Sequence, residues 1–267
     1  MLSLVSTPIG NLTDISFRSL EILKEADYIL CEDTRHSLKL FTHYAIQKPL
    51  FSLHSHNESK KIETILADLR SGKKIALVCD AGTPGICDPS ALLVRRCREE
   101  NLKVVAAAGP SSVTSALSLF GLIHPFFQFL GFIPKETKDA TLFLDRALNF
   151  DGLSIFFDTP HQIEKTLKIA QTKAPKKKFY IAKELTKIHE SIEGHLPFEW
   201  LEKFNIEPIK GELVCLIEGE KKEAELLQEE HIMQVLSQEA SLSYNDKIRL
   251  ASKILNKPKN ALYKKWL

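Results

Sequence analysis

The chain has no cysteine-pairing pattern, no glycine-rich nucleotide fingerprint and no long apolar run, and each gap removes a class of protein. Its five cysteines, at 31, 79, 87, 97 and 215, are odd in number and contain no C-x-x-C pair. That argues against a disulfide framework and a zinc site, and leaves reduced, mostly buried thiols. The dinucleotide fingerprint G-x-G-x-x-G is missing from the first strand-to-helix loop and G-x-x-x-x-G-K-[ST] from the whole chain, so nicotinamide dinucleotides and P-loop hydrolysis are poor matches. The most apolar long segment, Gly121 to Pro134, is broken by His124, Pro125 and Gln128, and the amino terminus has no cationic stretch leading into an apolar core. Neither secretion nor membrane spanning is expected, and the cytoplasm is the default. An excess of one charge is lacking too, since 36 Lys and Arg against 34 Asp and Glu leave +2. A protein basic throughout is excluded, although a local basic face still attracts phosphates.

What is present is ordinary bulk punctuated by unusual loops. With 267 residues, 44% apolar and 26% charged, the chain can bury a proper core and is long enough for two domains. Function must then come from sites. The densest candidate is V-C-D-A-G-T-P-G-I-C-D-P at 78–89. It follows a β-branched strand signal at Ile75 to Val78 and combines permissive glycines with fixed prolines. Asp80 and Thr83 are candidates for holding a ligand, because loops at the carboxyl ends of strands are where open α/β sheets bind them. The alternative is a plain strand-to-helix turn with Asp88 or Ser90 capping the next helix.

The same arrangement recurs. Leu2 to Val5 runs into S-T-P-I-G-N, with Asp14 or Ser16 as caps of the following helix, and Tyr28 to Cys31 runs into E-D-T-R-H at 32–36. There the adjacent carboxylates beside an arginine need pairing or solvation, and Asp33 or Thr34 also suits a helix cap. Leu50 to Leu53 precedes H-S-H-N-E at 54–58, whose two histidines lack the further ligands that a metal site requires. Ile62, Ile65, Leu66 and Leu69 share one helical face closed by Gly72. Val104 to Ala107 ends in A-G-P-S-S, and the small-residue helix from Val113 to Leu119 suits close approach to a ligand or close packing on a sheet. If the strands are parallel, the loops after Val5, Val78 and Ala107 line one edge.

A boundary is expected near Gly131–Glu136, where apolar sequence gives way to charge. Beyond it Leu153 to Phe157 and Phe179 to Ala182 are strands, Ile163 to Ala170 a helix, Ser191–Gly194 and Lys210–Glu212 turns, and Leu213 to Ile217 a closing strand. Glu218 to Glu239 is acid-rich, a linker plus helix. From Ser241 the sign changes: Lys247, Arg249, Lys253, Lys257, Lys259, Lys264 and Lys265 face only Asp246, with Leu242, Ile248, Leu250, Ile254, Leu262 and Trp266 as an apolar side. This is either a basic helical module touching nucleic acid or a solvated terminal helix.

Seven motifs in order, S-T-P-I-G-N-L-x-D-I at 6–15, E-D-T-R-H at 32–36, H-x-H-N-E at 54–58, D-A-G-T-P at 80–84, A-G-P-S-S at 108–112, E-L-T-K at 184–187 and K-G-E at 210–212, resemble a known family. It is the small-subunit ribosomal RNA (cytidine-2′-O-)-methyltransferases of the tetrapyrrole methylase-like class, and the likeness covers essentially the whole chain. The resemblance implies two α/β domains of the tetrapyrrole methylase type with the cofactor cleft between them, plus a small basic helical tail. Its divisions are 1–120 for the cofactor loops and substrate side, 121–220 for the second α/β domain, and 221–267 for the acidic linker and basic region. It implies S-adenosyl-L-methionine as cofactor, beside the absence of a metal site expected from the histidine spacing. Small-subunit ribosomal RNA, free or in the assembled subunit, is the implied partner, and the family is usually homodimeric. By motif position, cofactor contact falls on Pro8, Asp80, Gly82, Thr83, Ser112, Val113, Ala116, Phe157 and Lys183. Substrate contact falls on Arg35, His54, Asn57 and Glu58, and the proton acceptor or orienting group is Glu32, Asp33 or His56. Two departures stand out: Asp158, Thr159 and Gln162 occupy positions where the family more often shows E-S-x-x-R, and Ser90 replaces a usual glycine. The rival readings are a methylase of tetrapyrroles or another small molecule, and a non-catalytic RNA-binding protein.

Overall fold

A computed structural model of the chain describes residues 1–54, 56–88, 90–123, 126–206, 209, 211–219, 229–239, 241–255 and 257–266. Two compact units result, Met1–Gly219 and Glu220–Leu267.

The first unit opens with β1 (Leu2–Val5), α1 (Phe17–Glu25), β2 (Tyr28–Cys31), α2 (Thr34–His43), β3 (Leu50–Ser52), α3 (Glu58–Arg70), β4 (Ile75–Leu77), α4 (Ala91–Glu99) and β5 (Val104–Ala107). These strands form one parallel sheet in the order β3-β2-β4-β1-β5. A parallel sheet covered on both faces needs apolar side chains on both, and successive residues supply them. Leu2, Leu30, Ile75 and Leu77 pack with Ile62, Leu66 and Leu69 of α3 and Leu93 of α4. Their neighbours Val5, Ile29, Cys31 and Ala76 pack with Leu23 of α1 and Leu40 and Phe41 of α2. Because β4, β1 and β5 are adjacent and parallel, the loops that leave them emerge at one edge.

Next come α5 (Ser112–Phe120), β6 (Phe127–Phe132), α6 (Thr137–Leu148), β7 (Leu153–Asp158), α7 (Ile163–Lys173), β8 (Phe179–Lys183), β9 (Ser191–His195), α8 (Pro197–Ile206) and β10 (Leu213–Glu218). The second sheet runs β6-β7-β10-β8-β9, with β6 and β7 parallel and the other pairs antiparallel. One face packs on α5 through Val113 and Ala116, which meet Leu153, Ile155, Val214 and Leu216. The other packs on α6, α7 and α8 through Leu144, Leu167 and Trp200. A helix that follows the first sheet in sequence is thus built into the second.

Three expectations are corrected. The shift from apolar to charged sequence at Gly131–Glu136 does not separate the sheets, because β6 runs through Phe132 and already belongs to the second. Charge appears there because α6 is amphipathic, with Ala140, Leu144 and Ala147 inward. Ser191–Gly194 is not a turn but most of β9, paired with β8. Gly194 lies under the Tyr180 ring, where a Cβ would stand 2.3 Å from Tyr180 Cε1, so its glycine serves close approach rather than a bend.

The third correction concerns the second unit, which contains α9 (Glu229–Gln238), α10 (Tyr244–Ile254) and α11 (Lys259–Trp266). Ile232, Met233, Ile248, Ala251 and Leu262 form its core. Leu250 and Ile254, expected on the apolar side, are 37% and 53% exposed. The cause is helical phase, since Ile248, Ala251 and Leu255 point inward and Leu250 and Ile254 fall on the opposite side. Residues 220–228 of the acid-rich stretch and the side chains of Lys264, Lys265 and Trp266 lie outside the described residues. Among the described residues no helix is long and apolar enough to cross a membrane.

Candidate active site

The loops after β1, β4 and β5 are tied to one another. Thr7 N donates to Gly82 O at 2.9 Å and Gly82 N to Thr7 O at 3.0 Å, an isolated antiparallel bridge between the first two. Thr83 Oγ1 donates to Pro110 O at 3.1 Å and lies 2.9 Å from Ser6 Oγ, so one hydroxyl joins all three. Having given its proton to Pro110, it accepts from Ser6. Gly82 takes φ +83°, a left-handed value that side chains disfavour, and a Cβ at Gly109 would stand 2.8 Å from Ser6 Cβ. Glycine permits both the turn and the contact.

The second sheet approaches from the other side. A Cβ at Gly10 would lie 2.6 Å from Leu185 O in the loop after β8. That loop holds Glu184 at φ 52° and Thr186 at φ 64°, conformations costly for non-glycine residues and most of all for a β-branched one. Local bonds hold them: Thr186 N donates to Glu190 Oε2 at 2.6 Å, Lys187 N to Glu184 O at 3.0 Å, and Lys187 Nζ to Glu184 Oε1 at 3.0 Å.

Between these walls lies a cavity of about 460 Å³, a size typical of small-molecule sites (about 300–1,000 Å³). Glu32, Asp80, Gly82, Thr83, Ser112, Val113 and Phe157, all anticipated from sequence, line it. Pro8 and Lys183 each stand one residue from a lining position, Ile9 and Glu184. Ala116 is buried one turn further along α5, against the second sheet. Sequence reasoning gave no role to Ile9, Phe132, Asp158, Glu184, Lys187 or Glu212, which also line the cavity. E-L-T-K and K-G-E were visible as motifs, but only tertiary packing turns them inward. Lys210 of the latter lies outside the described residues.

Asp33, Arg35, His54, His56, Asn57 and Glu58 are not part of the cavity wall. Asp33 caps α2, accepting from Arg35 N at 2.8 Å, and pairs with the Arg35 guanidinium at 2.8 Å. Those hydrogen bonds hold its carboxyl down at about 2. Its own N–H donates to Asp80 Oδ1 at 3.3 Å, which couples the capped loop to the cavity. Asn57 Oδ1 accepts from His54 N at 2.9 Å, and its Nδ2 lies 2.9 Å from His54 Nε2, so this loop is held by its own asparagine. His56 is exposed.

Glu58 is buried and accepts from Leu93 N at 3.2 Å, serving the start of α4 from a neighbouring helix. The expected cap Ser90 instead gives its hydroxyl to Asp88 Oδ1 at 3.1 Å, and Asp88 in turn accepts from Gly85 N at 2.9 Å. Glu58→Ala leaves the buried Leu93 N–H without its acceptor and costs about 1–3 kcal/mol. Chemical denaturation checks this, with stability falling by that amount while turnover of the folded protein stays within about threefold.

The wall is acidic. Glu32, Asp80, Asp88, Asp158, Glu184 and Glu212 line the cavity against one lysine among the described residues, Lys187. Burial, followed by the neighbouring Asp80 and Asp88, raises the Glu32 carboxyl above its ordinary range, and His54 partly offsets this. Burial pushes Asp158 up from 3.8 to about 6, despite hydrogen bonds from Thr166 Oγ1 at 2.6 Å and Thr159 N at 2.7 Å. A carboxyl that binds its proton more tightly when folded adds stability below about pH 4, and that contribution is lost as pH rises through about 6. Asp158→Asn removes this dependence. The stability difference between variant and unaltered chain should therefore shift in the variant's favour, by on the order of 2 kcal/mol, between pH 4 and pH 7 in urea titrations.

A cavity of this size and sign suits a compact ligand carrying positive charge, and comparison with known proteins narrows the class. The family model described as Tetrapyrrole (Corrin/Porphyrin) Methylases matches residues 1–197. "Ribosomal RNA small subunit methyltransferase I" of Escherichia coli O157:H7 is 40% identical over 266 residues, covering 98% of this chain and 93% of that protein. The protein of the same name from Vibrio cholerae serotype O1 is 38% identical over 269 residues, covering 99% and 93%. Among solved structures, a diphthine synthase superposes with a TM-score of 0.66 at 15% identity, covering 82% of this chain and 89% of that one. A cobalt precorrin-4 methyltransferase superposes at 0.56 with 17% identity, covering 81% and 93%. The two solved structures establish the fold, the family model and near-full-length relatives establish kinship, and the chain belongs to the tetrapyrrole (corrin/porphyrin) methylase family.

Proposed function

We propose that the chain transfers a methyl group from S-adenosyl-L-methionine to the ribose 2′-oxygen of a cytidine in small-subunit ribosomal RNA. The observation that carries this reading is the convergence of three sheet-edge loops and the second sheet on one acidic cavity, in a chain whose near-full-length relatives bear the name of a ribosomal RNA methyltransferase. The donor set fits the cofactor, because carboxylates favour its cationic ammonium and sulfonium groups. When bound, that cofactor supplies the methyl group. Asp80, Gly82, Thr83, Ser112, Val113 and Phe157 would hold it, with Pro8, Ala116 and Lys183 shaping the wall from behind.

A sugar hydroxyl is a weak nucleophile, so positioning supplies most of the barrier reduction, up to roughly 7–11 kcal/mol. Glu32, whose proton affinity is raised at the cavity wall, accepts the hydroxyl proton. Asp33 and His56 orient the substrate from outside, and Arg35 meets a neighbouring phosphate. His54 stands on the same surface, fixed in shape by Asn57 and Glu58. The chain works as a homodimer in the cytoplasm. Exposed Leu119, Ile123, Phe126, Phe127 and Phe132, beside and on the edge strand β6, support an apolar self-contact.

Incubating the protein with labelled cofactor and small ribosomal subunits, then mapping the RNA by mass spectrometry, tests the reading. One 2′-O-methylcytidine per subunit is the expected product. Label in a tetrapyrrole, or in no RNA, overturns it.

A further inference from the structure

A catalytic unit that acts on RNA faces a problem of sign. The cavity wall is dominated by carboxylates. Residues 241–267 contain seven Lys and Arg against one Asp, whereas Met1–Gly219 carries 27 against 27 and has no net charge. Affinity for a polyanion comes chiefly from neutralising its phosphates, and the first unit has no net positive charge to do so.

The second unit is built to supply what is missing. It is folded around its own core of Ile232, Met233, Ile248, Ala251 and Leu262. Helix α10 turns Ile248 and Ala251 inward and leaves Arg249, Leu250, Lys253 and Ile254 on the opposite, exposed side. These four fall within one broad stripe at i, i+1, i+4 and i+5. Leu250 and Ile254 stand beside the two cations and are not used by the core, so this face offers apolar contact as well as charge. Ser243 caps the helix, with Asp246 N donating to its Oγ at 3.2 Å, so the stripe is presented on a firmly started helix.

We propose that this stripe of α10 is a docking surface for the phosphate backbone of the ribosomal RNA substrate. It provides electrostatic affinity that the first unit, neutral overall and acidic at its cavity, lacks, with Arg249 and Lys253 meeting phosphates and Leu250 and Ile254 packing on sugar or unstacked base. The inference rests on the RNA reading above and adds where the RNA is held. It assigns the second unit to substrate capture and leaves cofactor binding and chemistry to the first.

The test uses the full chain carrying Arg249→Glu and Lys253→Glu together, with Arg249→Lys and Lys253→Arg as the charge-preserving control. Three quantities are read: the KM for small subunits, the Kd for naked small-subunit RNA across a salt series, and the Kd for S-adenosylmethionine. Expected are a rise of at least tenfold in KM and in RNA Kd, unchanged kcat and cofactor affinity, and a salt slope shallower by about 1.4–1.8, as loss of two phosphate contacts requires. The control should behave as the unaltered chain. Unchanged RNA Kd and salt slope would overturn the proposal. So would a KM effect on subunits without any effect on naked RNA, which would make a ribosomal protein the partner. If the unaltered chain methylates no RNA, the functional reading fails, while the RNA-binding arm still decides whether the stripe docks RNA.

Discussion

Glu32→Gln should lose at least a hundredfold in kcat while binding S-adenosylmethionine as tightly as the unaltered chain. Proton acceptance by a placed side chain is worth about 10²- to 10⁴-fold, and the substitution keeps the shape while removing the basicity. Of the three candidate groups, Glu32 lines the cavity. Its carboxyl is raised by burial and by Asp80 and Asp88, the direction that makes a carboxylate a better base. Asp33 is held at about 2 by Arg35 and is correspondingly reluctant to take a proton. Asp33→Asn and His56→Ala should each cost less than Glu32→Gln. The unaltered enzyme should gain kcat with rising pH as Glu32 ionises, and the variant should lose that limb. A Glu32→Gln enzyme within threefold of the unaltered one would remove Glu32 from the chemistry.

Gly10→Ala should weaken cofactor binding at least tenfold, although Gly10 is not on the cavity wall. Its missing side chain is what lets the first loop close on the loop after β8. A Cβ would meet Leu185 O at 2.6 Å, Thr186 Oγ1 at 2.7 Å and Lys187 Cγ at 2.8 Å. The first is backbone and cannot swing away as a flexible side chain would. The loop it belongs to holds two left-handed residues, Glu184 and Thr186, so a small push is enough to release it. Leu185 and Lys187 line the cavity and move with it. Gly72→Ala is the control: φ there is +93° with nothing within 4 Å of the added atom, so it should cost about 1 kcal/mol of stability and leave cofactor affinity intact. Equal cofactor affinity in Gly10→Ala and the unaltered chain would show that the closure is not needed. Calorimetric titration reads both variants.

The first sheet was legible because each strand there is a short apolar run ended at once by turn residues, and parallel strands bury both faces. Motifs at strand ends follow directly from that grammar, which is why Asp80 and Thr83 could be named from the loop itself, whereas Glu32 and Gly82 came with the family resemblance. The second sheet was less legible. β9 reads S-I-E-G-H, a turn by composition, and becomes a strand only because β8 pairs with it and Tyr180 covers Gly194. α8 begins at Pro197, which suits a first helical turn but also reads as a break. Asp158, Glu184 and Lys187 enter the cavity through contacts between the two sheets, a relation with no signature in local sequence. Leu250 and Ile254 illustrate the converse, apolar residues at helical spacing that the helix nonetheless turns outward.

The central claim is that the loops at 80–83 and 111–113, together with Phe157 and Asp158 at the end of β7, form one pocket for the methyl donor. Diffraction from crystals grown with S-adenosylmethionine tests it most directly. The account predicts density for the cofactor between those loops and β7, with Asp80 and Thr83 in contact. Cofactor bound on another surface, or none at saturating concentration, would contradict it.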